Sequence, residues 1–364
     1  MTETALTATL TETPLARLLA AGGASSELAS FRGVITFAQL DAPQAEIAAL
    51  SSGTAVHDLG WLRRVAVRGE DRFRWLSGMV TNTVNDLPAH GGAWNLVLNA
   101  QGRIQGDLTA WRNNDELELE IVADQYSKLL AHLDRFIIMD DVELVPIEGV
   151  TAIGLTGPKA AEILTTLGIT PLTEPLTQTQ AEASGLSLII CRDYGSLADH
   201  YTLWVAENSA KQLWDKLVTA GAQPAGTVSL DAFRIAEGIP VYGTDIAERD
   251  LPQETSQLRA LHFSKGCYLG QEIVERIRSR GNVHRHLCQL EIDGPLPAPS
   301  TELTLDSKAA GTITSAAELQ LSAGAHRFAL AMIRAEAEAR NLPLAYSASG
   351  DSGVARILST PPTL

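Results

Sequence analysis

Residues 64–145 carry an alternation of strand and helix patterns that few folds accommodate. Runs of aliphatic and β-branched residues predict strands, and apolar residues at helical spacing predict helices. The predicted strands cover 65–67, 93–98, 104–111, 116–122 and 142–145, and the predicted helices cover 71–79 and 125–138. The resulting order, βαβββαβ, is that of an elaborated ferredoxin-like α+β unit.

A weaker copy of this pattern follows in the next part of the chain. It contains predicted strands at 152–155, 186–191 and 201–205, a helix opening at 157–158 and a helix over 209–220. The phrase at 67–69 also recurs in similar form at 155–157, so we expect two related α+β lobes. Short strand patterns separated by turn clusters over 287–358 predict a small β-barrel.

Length and charge exclude several classes of function. With 364 residues the chain is too long for one ordinary core, so two or three domains are expected. Its net charge of −15 disfavours direct binding to nucleic acid or to an anionic membrane. No segment approaches the roughly 18 apolar residues of a membrane span. Residues 1–14 contain no Lys or Arg, so we expect neither a signal peptide nor a transit peptide.

The three cysteines, Cys191, Cys267 and Cys288, are far apart or lack C-x-x-C spacing. They therefore predict neither a disulfide framework nor a four-ligand zinc site, which is typical of a protein in a reducing cytoplasm. Iron–sulfur clusters usually need four protein ligands, so no stably bound metal is expected.

Residues 265–272, with the sequence KGCYLGQE, place one thiol where it can react. Apolar residues at helical spacing follow, so Cys267 is expected just before a helix or in its first turn. A helix N-terminus and the ammonium group of Lys265 both favour the thiolate. We interpret Cys267 as a nucleophile or a soft-metal ligand, and the alternative is a small buried residue beside a turn.

KGCYLGQE resembles the K-G-C-aromatic-x-G-Q-E signature of the YgfZ-type branch of the glycine-cleavage T-protein (aminomethyltransferase) superfamily, and it matches every fixed position. Other landmarks of the superfamily occur in order along most of the chain. They are HDLG at 57–60, TNTV at 81–84, NAQGRI at 99–104, R-x-x-E-G-x-P-x-x-G-x-D at 234–245, GTITS at 311–315 and ALA at 329–331.

This resemblance implies a three-lobed ring around a central folate channel. The expected fold is α+β, with two ferredoxin-like α+β lobes and a small C-terminal β-barrel. The expected segments are a partly disordered lead (1–30), a first lobe (31–147, ferredoxin-like over 64–147), a second lobe (148–260), a motif helix with linker (261–286) and the barrel (287–364). Members of the YgfZ-type branch bind folate and assist iron–sulfur cluster assembly and repair, in bacteria for clusters of tRNA-modifying enzymes.

A second candidate site lies on the predicted strand at 104–111. The two-residue period of a strand puts Asp107, Thr109 and Trp111 on one face, where a carboxylate and an aromatic surface suit a flat heterocycle. By resemblance, aminomethyltransferases carry an Asp-Asp pair here, near the reactive nitrogen of tetrahydrofolate, and the equivalent residues are Gly106 and Asp107. The alternative is an edge-strand Asp facing water, with Trp111 capping a core.

Further residues are assigned to the folate site by resemblance. They are Asn99, Arg234, Glu237, Tyr268 and Gln271. Resemblance also places a pterin-binding glutamate at position 202, where this chain has Thr202. A hydroxyl cannot replace the bidentate pairing of a carboxylate, so we expect weaker or differently oriented folate binding. Alternatively, Arg234 and Glu237 fall one helical turn apart and could pair on a solvated face.

Basic residues concentrate in the segment after Cys267. They are Arg276, Arg278, Arg280, His284, Arg285 and His286, with no acidic residue between 276 and 286. This favours an anion site, in which Arg278 and Arg280 receive a folate glutamate tail or an acidic patch of a client protein. The alternative is a solvated helix face.

Together these observations predict a folate-binding accessory protein for iron–sulfur cluster assembly or repair. Cys267 is the expected working thiol and transient metal ligand, Lys265 its electrostatic helper, and Asp107 a carboxylate at the reacting folate. The expected cofactor is tetrahydrofolate or a derivative, and the expected partners are folate and iron–sulfur client proteins in the cytoplasm. Two other functions stay open: a tetrahydrofolate-dependent aminomethyltransferase, and a folate-independent redox or scaffold module.

Overall fold

The computed structural model describes residues 10–21, 27–183, 185–281, 283–322 and 324–364. Residues 1–9 and 22–26 of the predicted lead are outside these ranges, so the disorder predicted for it falls partly outside the described residues. Within the lead, Pro14–Ala21 forms helix α1. None of the described helices is long and apolar enough to cross a membrane.

A β-hairpin and a helix come before the first lobe. Strands β1 (Glu27–Phe31) and β2 (Val34–Gln39) pair with each other in an antiparallel two-stranded sheet. Helix α2 (Pro43–Ser52) follows, and strand β3 (Ala55–Asp58) comes next.

The first lobe is a five-stranded antiparallel sheet with two helices. Its elements are β4 (Leu62–Arg68), α3 (Arg72–Ser77), β5 (Gly92–Leu98), β6 (Ile104–Asn113), β7 (Glu116–Val122), α4 (Ala123–Asp134) and β8 (Glu143–Ile147). The strand order β5-β6-β7-β4-β8 is the ferredoxin-like order with β5 added at one edge. All strands and helices predicted for this part are present, and the α+β prediction is confirmed. Helix α4 ends at Asp134, earlier than predicted.

The second lobe is a six-stranded sheet, in the order β10-β11-β12-β9-β3-β13. Its further elements are β9 (Val150–Thr156), α5 (Ala160–Thr166), β10 (Thr177–Ala183), β11 (Leu186–Asp193), β12 (His200–Ala206), α6 (Ala210–Thr219) and β13 (Gln223–Pro224). Strand β3 belongs to this sheet, although the sequence analysis assigned it to the first lobe. All four of its residues are buried, so β3 lies inside a sheet, where it pairs with β9.

Two α-helices, two short 3-10 helices (Pro252–Thr255 and Leu258–Ala260) and a barrel complete the described chain. Helix α7 (Thr227–Ala236) follows the second lobe, and α8 (Gln271–Arg280) precedes the barrel. The barrel elements are β14 (Arg285–Asp293), β15 (Glu302–Leu305), β16 (Lys308–Leu321), β17 (Gly324–Arg334), α9 (Ala335–Arg340), β18 (Leu344–Ala348) and β19 (Asp351–Ile357). The strands close in the order β14-β17-β16-β15-β18-β19, which confirms the predicted barrel.

The two sheets meet around a buried arginine. Arg64 on β4 donates to Glu118 Oε2 at 2.7 Å and lies 3.0 Å from the Cys191 thiol on β11. The indole rings of Trp111 and Trp204 lie 5.8 and 5.0 Å from its guanidinium carbon. Trp111 is fully buried in this contact, so its indole ring packs between the first and the second lobe.

A buried carboxylate links helix α7 to the barrel. The Asp245 side chain is 0% exposed and forms an ion pair with Arg234 of α7. Its Oδ1 accepts hydrogen bonds from the hydroxyls of Thr314 and Ser315 on β16, both at 2.6 Å. Its Oδ2 also accepts from the main-chain N–H of Val241 at 3.0 Å. This carboxylate therefore joins three parts of the chain.

We expect Asp245→Ala to lower the free energy of unfolding by about 3–5 kcal/mol, because it leaves a buried guanidinium without its partner. The matched control is Asp231→Ala, which removes the other Arg234 carboxylate, on a side chain 39% exposed. That change should cost about 0–1 kcal/mol. Urea denaturation followed by circular dichroism measures both values, and equal losses would contradict the assignment of the link to Asp245.

Candidate functional site

Residues 265–270, here called the motif loop, precede helix α8 and do not form its first turn. Helix α8 begins at Gln271, and the left-handed Gly270, with φ 81°, leads the chain into it. Cys267 lies in the loop and is exposed. The structure thus agrees with a thiol before the helix, and it excludes the alternative of a buried residue.

The Lys265 side chain attaches the motif loop to the first lobe. Its ammonium donates to the carbonyl oxygens of Ser77 and, at 2.7 Å, Val80. Carbonyls at the end of a helix such as α3 lack intrahelical partners, so a buried cation satisfies them. Burial lowers the pKa of Lys265 to about 8. These contacts give Lys265 a positioning role, and its effect on the Cys267 thiol stays a prediction.

Two glycines let the motif loop contact the turn between β5 and β6. A Cβ on Gly270 would lie 2.6 Å from the carbonyl oxygen of Asn99, and a Cβ on Gly102 would lie 2.8 Å from Cβ of Ile273. Both glycines also have positive φ, 81° and 71°. Gly270 of KGCYLGQE and Gly102 of NAQGRI are therefore required by one close contact between the two segments.

Three residues predicted to bind a cofactor make contacts that shape the local structure. Asn99 Oδ1 accepts from the main-chain N–H groups of Gln101 and Arg103, both at 3.0 Å. Gln271 Oε1 accepts from the N–H of Tyr268 at 3.2 Å. The Tyr268 ring is buried in the largest apolar cluster, and burial raises its pKa to about 12. Asn99, Tyr268 and Gln271 shape the loop and its neighbouring turn.

Asp107 is half-buried and is held by two side chains. Its Oδ2 accepts from Trp94 Nε1 at 2.8 Å, and its Oδ1 accepts from Gln125 Nε2 at 2.9 Å. Gln125 Oε1 in turn accepts from the Asp107 main-chain N–H at 3.0 Å. These contacts orient the carboxylate on strand β6.

An arginine stacks between aromatic residues beside this carboxylate. The Arg259 guanidinium carbon lies 3.7 Å from the ring centroid of Tyr194 and 4.8 Å from that of Trp94. Burial lowers the pKa of Arg259 to about 10. We call Trp94, Asp107, Gln125, Tyr194 and Arg259 the central site. Their flat surfaces and the fixed acceptor suit a planar, polar ring.

Trp111 is not available to a ligand, which corrects its assignment to the folate pocket. The predicted face is correct for Asp107 and Thr109, but the second lobe covers the end of strand β6. Trp94, which pairs with Thr109 across the sheet, is the aromatic residue beside Asp107. Sequence analysis missed Trp94, Tyr194 and Arg259, because the stack joins three segments far apart in the chain.

Arg234 and Glu237 are both buried and serve different contacts, so the alternative of a pair on a solvated face is wrong. Arg234 pairs with Asp245 and Asp231. Burial opposes its charge, but the two carboxylates outweigh this and raise its pKa. Glu237 Oε1 accepts from the main-chain N–H of Leu197 at 3.2 Å and so holds the loop that carries Tyr194.

A chain of hydrogen bonds runs from Glu237 into the second lobe. His200 Nε2 lies 3.0 Å from Glu237 Oε1, and its Nδ1 lies 3.3 Å from the Thr156 hydroxyl. That hydroxyl is 3.0 Å from His57 Nε2. Burial lowers the pKa of His57 to about 3. At His200 burial also disfavours the charge, but the carboxylate of Glu237 outweighs it and raises the pKa.

Position 202, where the resemblance places a glutamate, has a carboxylate next to it on the adjacent strand. The buried Thr202 hydroxyl donates to Asp193 Oδ2 at 2.6 Å. Burial and the nearby charge of Glu120 raise the pKa of Asp193 to about 7. Asp193 lies on the adjacent strand β11, a position that the sequence resemblance did not indicate.

Three side chains of the basic segment are paired with carboxylates, and the anion site at Arg278 and Arg280 stays a prediction. Arg278 pairs with Glu275 at 2.7 Å, Arg285 with Asp250 at 2.7 Å, and His286 with Glu338. Arg278 also stacks on the Phe263 ring at 4.9 Å. The acidic partners Glu275, Asp250 and Glu338 all lie outside residues 276–286. The Arg280 side chain lies outside the described part of the structure.

Metal ligands are not grouped in the described part of the chain. The described residues contain no cluster of three or more His, Cys, Asp or Glu side chains suited to a metal ion. Cys191 and Cys288 are buried, and burial raises the pKa of Cys288 to about 12. Cys267 is therefore the accessible one of the three thiols.

Comparison with known families agrees with this architecture. The sequence profile of the GCVT N-terminal domain matches residues 15–265, which is more than half of the chain. The chain belongs to this family. The profile of the CAF17 C-terminal β-barrel domain matches residues 284–351 of the same GCVT-family chain. The resemblance to the aminomethyltransferase superfamily is confirmed at this level.

Relatives of this GCVT-family protein include several named aminomethyltransferases. It is 28% identical over 318 residues to the aminomethyltransferase of Rubrobacter xylanophilus, covering 84% of this chain and 83% of that protein. It is 27% identical over 276 residues to a putative chloroplastic transferase of Arabidopsis thaliana, covering 73% of this chain and 62% of that protein.

A solved structure shares the fold of this GCVT-family chain. The glycine cleavage system aminomethyltransferase T from Bartonella henselae superimposes with a TM-score of 0.85 at 18% sequence identity. The match covers 97% of this chain and 98% of that chain. The three-part α+β architecture is therefore that of the family.

Replacing Glu237 by Gln should lower the pKa of His200, because burial then disfavours the imidazolium without compensation by the carboxylate. NMR titration of the His200 ring measures this shift. In the wild type the raised pKa stabilises the fold below about pH 6.5, and this stabilisation is lost as pH rises through the folded-state value. Glu237→Gln should therefore lose less free energy of unfolding than the wild type as pH rises through the pKa of His200. An unchanged His200 pKa in the variant would contradict the pairing of His200 with Glu237.

Proposed function

We propose that this protein binds tetrahydrofolate or a derivative at the central site and assists iron–sulfur cluster assembly or repair through Cys267, as a YgfZ-type member of its superfamily. The single observation that carries the proposal is the exposed Cys267 in a loop fixed to the first lobe by Lys265. A thiol presented in this way suits transfer or brief ligation, because its position is defined while its sulfur stays accessible.

The central site supports the folate part of this proposal. Trp94, Arg259 and Tyr194 supply flat surfaces for a pterin, and Asp107 supplies an oriented acceptor for its N–H groups. Asp193, bonded to Thr202, offers a second carboxylate in place of the one absent at position 202. Several named relatives are aminomethyltransferases, and a folate is the carrier expected for that chemistry by the resemblance.

The thiol part concerns a cluster carried by a client protein. One cysteine cannot hold an iron–sulfur cluster alone, since such clusters usually take four protein ligands. Cys267 would therefore act as one thiolate ligand to iron during transfer or repair, with the remaining ligands supplied by the client. The clients we propose are cytoplasmic iron–sulfur enzymes such as tRNA-modifying enzymes. The net charge of −15 favours contact with the enzyme and not with its nucleic acid.

We expect Cys267→Ala to leave thermal stability unchanged, because the thiol is exposed, and to abolish rescue of iron–sulfur enzyme activity in cells that lack this protein. Ser264→Ala is the matched control, since Ser264 is an exposed residue just before the same loop. Enzyme activity in the complemented cells is the measurement. Full rescue by the alanine variant would disprove the role of the thiol.

Replacing Trp94 by Leu should weaken tetrahydrofolate binding by about 1–3 kcal/mol, because it removes a stacking surface and the bond that orients Asp107. Isothermal titration calorimetry measures the affinity. Trp75→Phe is the control, because Trp75 is buried in the first-lobe core and bonds to the carbonyl of Phe136. If Trp94→Leu bound tetrahydrofolate like the wild type, the pterin would lie elsewhere.

A tetrahydrofolate-dependent aminomethyltransferase is the second candidate function. The observation that favours it is the oriented Asp107 carboxylate, at the position that resemblance assigns to the reacting folate nitrogen. Against it stands the KGCYLGQE loop, which is foreign to that enzyme. Release of the aminomethyl group from a glycine-cleavage carrier protein in the presence of tetrahydrofolate would establish the transferase. Rescue of iron–sulfur enzymes without folate binding would instead support a redox or scaffold module.

A further inference from the structure

Arg32 lies at the tip of the β1–β2 hairpin, which contacts helix α4 next to Gln125 of the central site. Arg32 and Gly33 form the two-residue turn, with positive φ values of 45° and 85°. The turn is pressed against the start of helix α4, where a Cβ on Gly33 would lie 2.7 Å from the main-chain nitrogen of Asp124. This contact fixes the hairpin tip, and with it Arg32, relative to the first lobe.

One nitrogen of the Arg32 guanidinium is buried without a protein acceptor. The guanidinium carbon lies 5.1 Å from the ring centroid of Phe31 and 5.9 Å from that of Trp61. Its Nε has no hydrogen-bond partner among the described residues. A buried N–H without an acceptor is costly, so this group is suited to an acceptor that the described chain does not supply.

The charges around Arg32 define the kind of acceptor. Burial and the nearby Arg234 charge lower the pKa of Arg32, whereas the carboxylates of Asp231, Asp107 and Asp124 raise it. Arg259 also faces Asp107, and Asp245 pairs with Arg234, so four carboxylates stand against three guanidinium groups and this part of the site is negative. A ligand carboxylate or phosphate would be repelled here, and a neutral carbonyl oxygen would not.

We infer that Arg32 contacts the ligand and donates from Nε to a neutral carbonyl oxygen of a flat heterocycle lying against Asp107. This inference rests on the proposed function, in which that heterocycle is a pterin. Asp107 accepts and Arg32 donates, so together they recognise a ring edge that carries both an N–H and a carbonyl. The site should therefore prefer a 4-oxo pterin to a 4-amino pterin, because an amino group presents hydrogens to the guanidinium.

Isothermal titration calorimetry of the full chain with tetrahydrofolate and its 4-amino analogue, tetrahydroaminopterin, tests this preference. The wild type should bind tetrahydrofolate at least about tenfold more tightly, the value of a charge-assisted hydrogen bond. Arg32→Asn should lose about tenfold to a hundredfold in affinity for tetrahydrofolate while its affinity for the analogue stays within about twofold. Asn is chosen because it tolerates positive φ, so the hairpin turn is retained.

Arg32→Gly provides a second variant, which removes the guanidinium donor and also tolerates positive φ. It should lose the preference for the 4-oxo ligand, and thermal unfolding checks that both variants stay folded. If the variants kept the wild-type preference, or weakened both ligands equally, Arg32 would be structural and the inference would fail while the proposed function stands. If the wild type bound neither ligand, the proposed function would fail and the inference with it.

Discussion

The buried carboxylate of Asp245 is the interaction on which the arrangement of the lobes depends. It neutralises Arg234 on α7 and accepts two hydroxyl bonds from strand β16, so it joins the helix that borders the central site to the barrel. A buried ion pair is stabilising only when each remaining lone pair is satisfied, and here four groups share the two oxygens. Helix α7, once fixed, also positions the Glu237 that follows it, and Glu237 holds the loop of Tyr194.

The central site is consequently an assembly of distant segments. Trp94 and Asp107 come from the first sheet, Tyr194 from a loop of the second lobe and Arg259 from a short helix near the motif loop. The motif loop continues from this region to the exposed Cys267. One fold thus carries both a polar aromatic site and an accessible thiol, which is the combination that the proposed function requires.

Local patterns predicted much of the fold, and they failed where distant segments meet. The strands of the first lobe were readable because apolar alternation is a property of neighbouring residues. Strand β3 was placed in the wrong lobe, because its partner β9 lies far along the chain. Cys267 could be predicted because the short KGCYLGQE sequence contains both the thiol and Gly270, whose positive φ leads the loop into helix α8. Trp111 was assigned to the pocket from strand period alone, which does not reveal that the second lobe covers it. Arg278 is predicted to receive an anion because its neighbours from 276 to 286 are not acidic, but Glu275, just before them, pairs with it.

A crystal structure of the full chain with tetrahydrofolate tests the central claim most directly. The account predicts the pterin ring beside Asp107, in contact with Trp94 or Tyr194. The Arg259 side chain should move or turn to accommodate it, since it now stacks on both rings. Tetrahydrofolate bound away from Asp107, with the Trp94, Arg259 and Tyr194 stack unchanged, would contradict the account.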